Sequence, residues 1–148
     1  MEITTISTKE TQELAQQLAE KIKPGDVVAL YGDLGSGKTT FTSYLVCALG
    51  FIDRVQSPTF IIVRSYSKKA SDPDKNNITK IYHTDLYRLS SVGEVLDLGW
   101  QEMLSEEGAI IIIEWPELVE ELLPKKTIKI KFEYMEENVR KIDVQNLS

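Results

Sequence analysis

The chain has a single cysteine and a single histidine in 148 residues. One cysteine excludes an internal disulfide framework, and one histidine excludes a His-rich metal site. Apolar runs such as Ala109 to Ile113 are far short of the roughly 20 residues a membrane-spanning helix requires. The opening residues Met1-Glu2-Ile3-Thr4-Thr5 lack the basic-then-apolar layout of a secretory signal, so the sequence predicts a cytoplasmic protein with no membrane contact. Basic charge is also in short supply. With 17 Lys and Arg against 23 Asp and Glu, net charge −6, the chain lacks the general electrostatic footprint needed to grip nucleic acid. Composition is otherwise ordinary, 42% apolar and 27% charged, and the length suits one domain, 1–148, with one continuous core. Cys47, inside a helical stretch, is expected to be a small buried apolar residue.

Against this plain background one octet stands out. Residues 32–39 read Gly-Asp-Leu-Gly-Ser-Gly-Lys-Thr, a full match to the phosphate-loop pattern G-x-x-x-x-G-K-[ST]. The β-branched run Asp26 to Tyr31 leads into it, and Lys38 to Leu49 follows with Phe41, Leu45 and Leu49 on one helical face. Strand, glycine loop and helix is the arrangement in which main-chain N–H groups and a helix dipole converge on an anion. Gly35, Ser36, Gly37 and Thr40 are candidate phosphate contacts. Lys38 reaches the terminal phosphates, and the Thr39 hydroxyl ligates a bridging Mg²⁺. A plain glycine turn would not call for Lys-Thr at its exit.

A phosphate loop needs a carboxylate near its metal, normally at the carboxyl end of a neighbouring buried strand. Ile110-Ile111-Ile112-Ile113-Glu114 has that form, which makes Glu114 the candidate Mg²⁺ carboxylate, at the sheet edge where ligands of open α/β sheets collect. Asp85 closes a second β-rich run, Ile78 to Asp85; it orients the attacking water, sits in the metal's outer shell, or caps a helix. Ser57 and Thr59 sit in a polar break where a γ-phosphate-sensing segment is commonly placed, or form a Pro-containing turn. His83 is read as structural rather than catalytic, and Trp115 as a packing or partner-contact residue. No [NT]-K-x-D motif is present, which favours ATP over GTP.

The rest of the chain reads in the same terms. Ser7-Thr8-Lys9-Glu10 has capping-box spacing and opens a helix with Leu14, Leu18 and Ile22 on one face. Phe60 to Tyr66 is strand-like, and the polar segment 67–77 is an exposed hairpin loop. Two short helices flank Gly99, Pro116 begins another, and Pro124 stops it. Ile128, Ile130, Phe132 and Tyr134, continued by Ile142 and Val144, alternate as a terminal antiparallel hairpin. The predicted fold is α/β: a P-loop NTPase-like mixed sheet flanked by helices, with antiparallel hairpins.

Four motifs in order, residues 32–41, Ser-Pro-Thr-Phe (57–60), His-Thr-Asp-Leu-Tyr-Arg-Leu (83–89) and Ile-Glu-Trp-Pro-Glu (113–117), resemble those of the TsaE family, formerly YjeE. The resemblance spans most of the chain. It implies an ATPase that acts with the TsaB and TsaD proteins in the threonylcarbamoyl modification of tRNA adenosine beside the anticodon. By position it implies that Lys38 and residues 35–40 hold phosphates, that Thr39 and Glu114 hold Mg²⁺, and that Asp85 is needed for hydrolysis. It also brings Thr11 towards the nucleotide base. Ile61 departs from the threonine common after Ser-Pro-Thr-Phe. The acidic balance agrees with a chain that meets tRNA only through its partners. No arginine finger is evident, Arg64 and Arg88 being the nearest to motif residues, so hydrolysis by the isolated chain is expected to be slow and partner-stimulated. Two alternatives remain: a small-molecule kinase, and a nucleotide-dependent binding switch in which hydrolysis is not required.

Overall fold

The computed structural model describes residues 1–55, 62–68 and 77–147. In chain order the elements are β1 (Glu2–Thr5), α1 (Thr8–Ala19), β2 (Val27–Tyr31), α2 (Lys38–Ala48), β3 (Val63–Ser67), β4 (Lys80–Asp85), α3 (Val92–Asp97), α4 (Trp100–Ser105), β5 (Ala109–Glu114), a 3₁₀ helix (Pro116–Leu122), β6 (Ile128–Glu136) and β7 (Val139–Gln145). The strands form one seven-stranded sheet in the order β1-β7-β6-β2-β5-β4-β3. Pairings β6–β2, β2–β5 and β5–β4 are parallel, whereas β3 on one side and β7 and β1 on the other are antiparallel.

Strand β5 shows why the sheet takes two helical layers. Side chains alternate across a strand, and all six of its residues are buried. Ile110 and Ile112 pack with Val28, Leu30, Leu14, Leu18, Phe41 and Leu45 under α1 and α2. Ile111 and Ile113 pack with Val27, Val95, Trp100, Met103 and Val119 on the opposite face. A strand covered on both sides reads as an unbroken apolar run, and each buried isoleucine contributes about 1.5–3 kcal/mol. Helix α1 starts at the predicted cap, with Ser7 Oγ accepting from Glu10 N at 3.2 Å. Ser91 caps α3 in the same way, at 3.3 Å from Glu94 N.

Cys47 is exposed rather than buried; α2 turns Phe41, Thr42, Leu45 and Val46 inward, and position 47 falls off that arc. Residues 2–5, with Ile3 as their only aliphatic side chain, nevertheless form β1, because the outer edge of β7 offers a ladder of main-chain partners. The terminal hairpin, predicted as antiparallel, also enters the main sheet through a parallel pairing of β6 with β2. Of the predicted Phe60–Tyr66 strand, Val63 to Tyr66 lie in β3, which runs on to Ser67, and Ile62 precedes it with φ 50°; residues 60–61 and the loop residues 69–76 lie outside the described residues.

Candidate functional site

The octet at 32–39 joins the carboxyl end of β2 to α2. Its bends need glycine: Gly37 has φ 105° and Gly32 φ 147°. A Cβ at Gly32 would lie 2.8 Å from the main-chain oxygen of Phe132. Helix α2 begins on Gly37 with no side-chain cap and no acidic residue in its first turn. Its leading N–H groups and positive dipole end are therefore left to a ligand, the arrangement that binds anions.

Lys38, the first residue of α2, folds back along the loop. Its ammonium donates to the carbonyl of Gly32 and lies 3.7 Å from the centroid of the Trp115 ring. Burial lowers the pKa of this amine, opposed by the carboxylates of Glu114, Glu117, Asp85 and Asp33. Trp115 reaches this position through a left-handed backbone, φ 59° and ψ 58°, unusual for a bulky residue. Its ring also meets Tyr87, centroids 4.9 Å apart.

Glu114 ends β5 with 3% of its surface exposed. Thr39 Oγ1 donates to its Oε1 at 2.9 Å, so the two predicted Mg²⁺ ligands are in contact. The other oxygen, Oε2, is 2.6 Å from His83 Nε2. Asp85 Oδ1 accepts from Tyr87 N at 3.0 Å. A cleft of about 250 Å³ is lined by Gly35, Gly37, Lys38, Thr39, Thr40, Asp85, Glu114, Trp115 and Arg140, with Leu34. Among the described residues no group of three or more His, Cys, Asp or Glu is arranged to hold a metal. One carboxylate and one hydroxyl are the hard-oxygen set that suits Mg²⁺ when a substrate's phosphates complete its shell.

A second cleft, of about 130 Å³, adjoins the first. Ser7, Thr11, Ser36, Tyr44, Phe132 and Asn138 are among its lining residues, and it shares Gly37, Thr40 and Arg140 with the phosphate cleft. Thr11 donates to Thr5 Oγ1 at 2.9 Å, so its hydroxyl is committed within the protein while its side chain lines the wall.

The structure thus gathers Gly35, Gly37, Lys38, Thr39, Thr40, Asp85 and Glu114 around one cleft and Thr11 and Ser36 around its neighbour. Thr59 and Ser57 lie outside the described residues. Sequence reasoning missed Arg140, which arrives from β7 and donates from Nε to the carbonyl of Ser36 at 3.1 Å. It carries no motif and reads as an ordinary strand charge. The contact of His83 with Glu114 was missed as well, because it depends on the pairing and register of β4 against β5, which alternation within each strand does not give.

A glycine loop between a central parallel strand and a helix, under a mixed sheet with helices on both faces, defines a P-loop NTPase-like fold. Within that class the chain belongs to the TsaE family. The sequence model described as threonylcarbamoyl adenosine biosynthesis protein TsaE matches residues 5–142. Similar proteins include the tRNA threonylcarbamoyladenosine biosynthesis protein TsaE of Rickettsia felis, 41% identical over 89% of this chain and 72% of that one. The Bacillus subtilis protein of the same name is 37% identical over 93% of this chain and 80% of its own length. Among solved structures, the crystal structure of Bacillus subtilis YdiB superposes with TM-score 0.77 at 30% identity, covering all of this chain and 86% of the other. No helix among the described residues is long and apolar enough to cross a membrane.

Proposed function

We propose that the chain binds ATP with Mg²⁺ and hydrolyses it in support of the TsaB–TsaD complex during threonylcarbamoyl modification of tRNA. The observation that carries this reading is the uncapped start of α2, which faces one cleft together with Lys38 and the Thr39–Glu114 pair. In this reading the triphosphate lies against the amides of residues 35–40. The shared wall at Gly37, Thr40 and Arg140 leads ribose and base into the second cleft, beside Thr11.

Each group then has a task. Lys38 exchanges the Gly32 carbonyl and the Trp115 face for phosphate oxygens. Thr39 and Glu114 would hold Mg²⁺, which when bound neutralises charge on the β- and γ-phosphates. Asp85 would orient the attacking water. Arg140 is held by main-chain carbonyls, so strong transition-state stabilisation is left to a partner, and an added arginine can be worth about 10³–10⁵ in rate. With net charge −6, contact with tRNA is assigned to the partner complex, and the work to the cytoplasm.

The test is calorimetry of ATP binding with and without Mg²⁺, followed by ATPase rates with and without TsaB, TsaD and tRNA. Lys38→Ala is expected to weaken binding about 10- to 100-fold, the worth of hydrogen bonds to a charged group. Glu114→Ala and Asp85→Ala are expected to bind ATP and lose turnover. No ATP uptake at millimolar Mg²⁺ would refute the reading. Turnover-dead variants that still support tRNA modification would favour the nucleotide switch, and stoichiometric phosphate transfer to a metabolite would favour the kinase.

A further inference from the structure

His83 lies in β4 opposite Ile112 of β5, in parallel register. Side chains two residues apart share a face, so His83 projects from the same side of the sheet as Glu114, the residue two beyond its register partner. The imidazole is fully buried, with 0% of its side chain exposed against 4% for Glu114. Nε2 stands 2.6 Å from Glu114 Oε2, while Nδ1 is buried with no hydrogen-bond partner among the described residues.

These contacts assign the ring's proton. A carboxylate oxygen can only accept, so Nε2 must carry the hydrogen. His83 therefore donates from Nε2 to Oε2. Glu114 is pinned from behind by His83 and from the front by Thr39 Oγ1, which donates to Oε1 at 2.9 Å.

We propose that His83 is a positioning residue for the divalent-cation site: its Nε2–H holds Oε2, so that Oε1 and the Thr39 hydroxyl form one preset pair of oxygen ligands. This rests on the Mg²⁺-nucleotide reading given above. Partners that orient a metal-ligating group from behind typically change metal affinity by about 10- to 100-fold when removed.

The variants His83→Leu, His83→Asn and His83→Gln separate this role from packing. Gln Nε2 is as many bonds from Cβ as the imidazole Nε2, whereas Asn Nδ2 matches only Nδ1. The quantity to measure is the ratio of ADP affinities in Mg²⁺ and in EDTA. His83→Leu and His83→Asn are expected to lower that ratio by about tenfold and leave the EDTA affinity within about twofold. His83→Gln is expected to restore it. A ratio preserved in His83→Leu, or an EDTA affinity that falls in step with the Mg²⁺ affinity, would overturn the proposal. A wild-type chain with no Mg²⁺ enhancement would overturn the metal reading of the whole site, and the proposal with it.

A second measurement needs no variant. The chain has one histidine, so in tag-free ¹⁵N-labelled protein its imidazole supplies the only histidine ring signals. The expected spectrum has a protonated Nε2, and the Nε2–H resonance moves with Mg²⁺ plus ADP but not with ADP in EDTA. An Nδ1–H tautomer, or a resonance indifferent to Mg²⁺, would overturn the proposal even where the variants fail to fold.

Discussion

Arg140 Nε donates to the carbonyl oxygen of Ser36 across 3.1 Å and 104 residues of sequence, tying the last hairpin to the phosphate loop. Nη1 also donates to the carbonyls of Glu136 and Val139, and the guanidinium carbon lies 4.5 Å from the centroid of the Tyr134 ring. The side chain is only half-buried, so the usual worth of a charge-assisted bond is discounted to about 1 kcal/mol. Arg140→Ala is expected to weaken ATP binding about fivefold by calorimetry. Arg140→Lys is expected to recover part of that loss, because an ammonium keeps the charge but not the planar fork. Unchanged affinity in Arg140→Ala would show that the loop holds its shape without the hairpin.

Lys38 rests on the face of Trp115, a contact worth about 0.5–2 kcal/mol. Drawing the ammonium away towards phosphates should alter the emission of Trp115, which is half-buried, and leave the fully buried Trp100 as a constant background. ATP is expected to change the tryptophan fluorescence of the wild type and to leave Trp115→Phe unaffected. A signal retained in that variant would place the change elsewhere.

Two loop glycines should respond differently to alanine. At Gly32 the new Cβ would sit 2.6 Å from Ser36 Oγ and 2.8 Å from the Phe132 carbonyl oxygen. A rotating hydroxyl can yield, whereas the β6 backbone cannot. At Gly35, with φ 77°, a Cβ meets nothing within 4 Å, so only the left-handed backbone is penalised, by about 1–2 kcal/mol. Gly32→Ala is therefore expected to lower the thermal unfolding midpoint more than Gly35→Ala. The reverse order would contradict the packing of the loop against β6.

Ser36 Oγ is buried without a hydrogen-bond partner among the described residues, and an orphaned polar group costs about 1–3 kcal/mol. Ser36→Ala is expected to leave the ligand-free protein as stable or to stabilise it by about 1 kcal/mol, read from denaturant unfolding. Clear destabilisation would show that the hydroxyl is satisfied in solution.

Local rules reached most of the secondary structure and much of the candidate site. Ser7, Ser91 and Pro116 mark helix starts through capping chemistry that acts within one turn. The isoleucine run of β5 declared its two-sided burial. The octet at 32–39 carried its own geometry, since its glycines and the following helix are contiguous. Cys47, expected in the interior from its residue type, is exposed because the face of α2 that carries Phe41 and Leu45 leaves position 47 outside it. Residues 2–5 pattern weakly and become a strand only because β7 has an open edge.

Sequence alone determined the α/β class, the phosphate loop and the candidates Lys38, Thr39, Asp85 and Glu114, because each depends on residues adjacent in the chain or on a period of two or 3.6. Tertiary structure decided that His83 backs Glu114, that Trp115 carries Lys38, and that Arg140 closes the loop. Those contacts depend on strand order and register, set by how both apolar faces of the sheet are covered at once. No run of neighbouring residues encodes such a global packing condition.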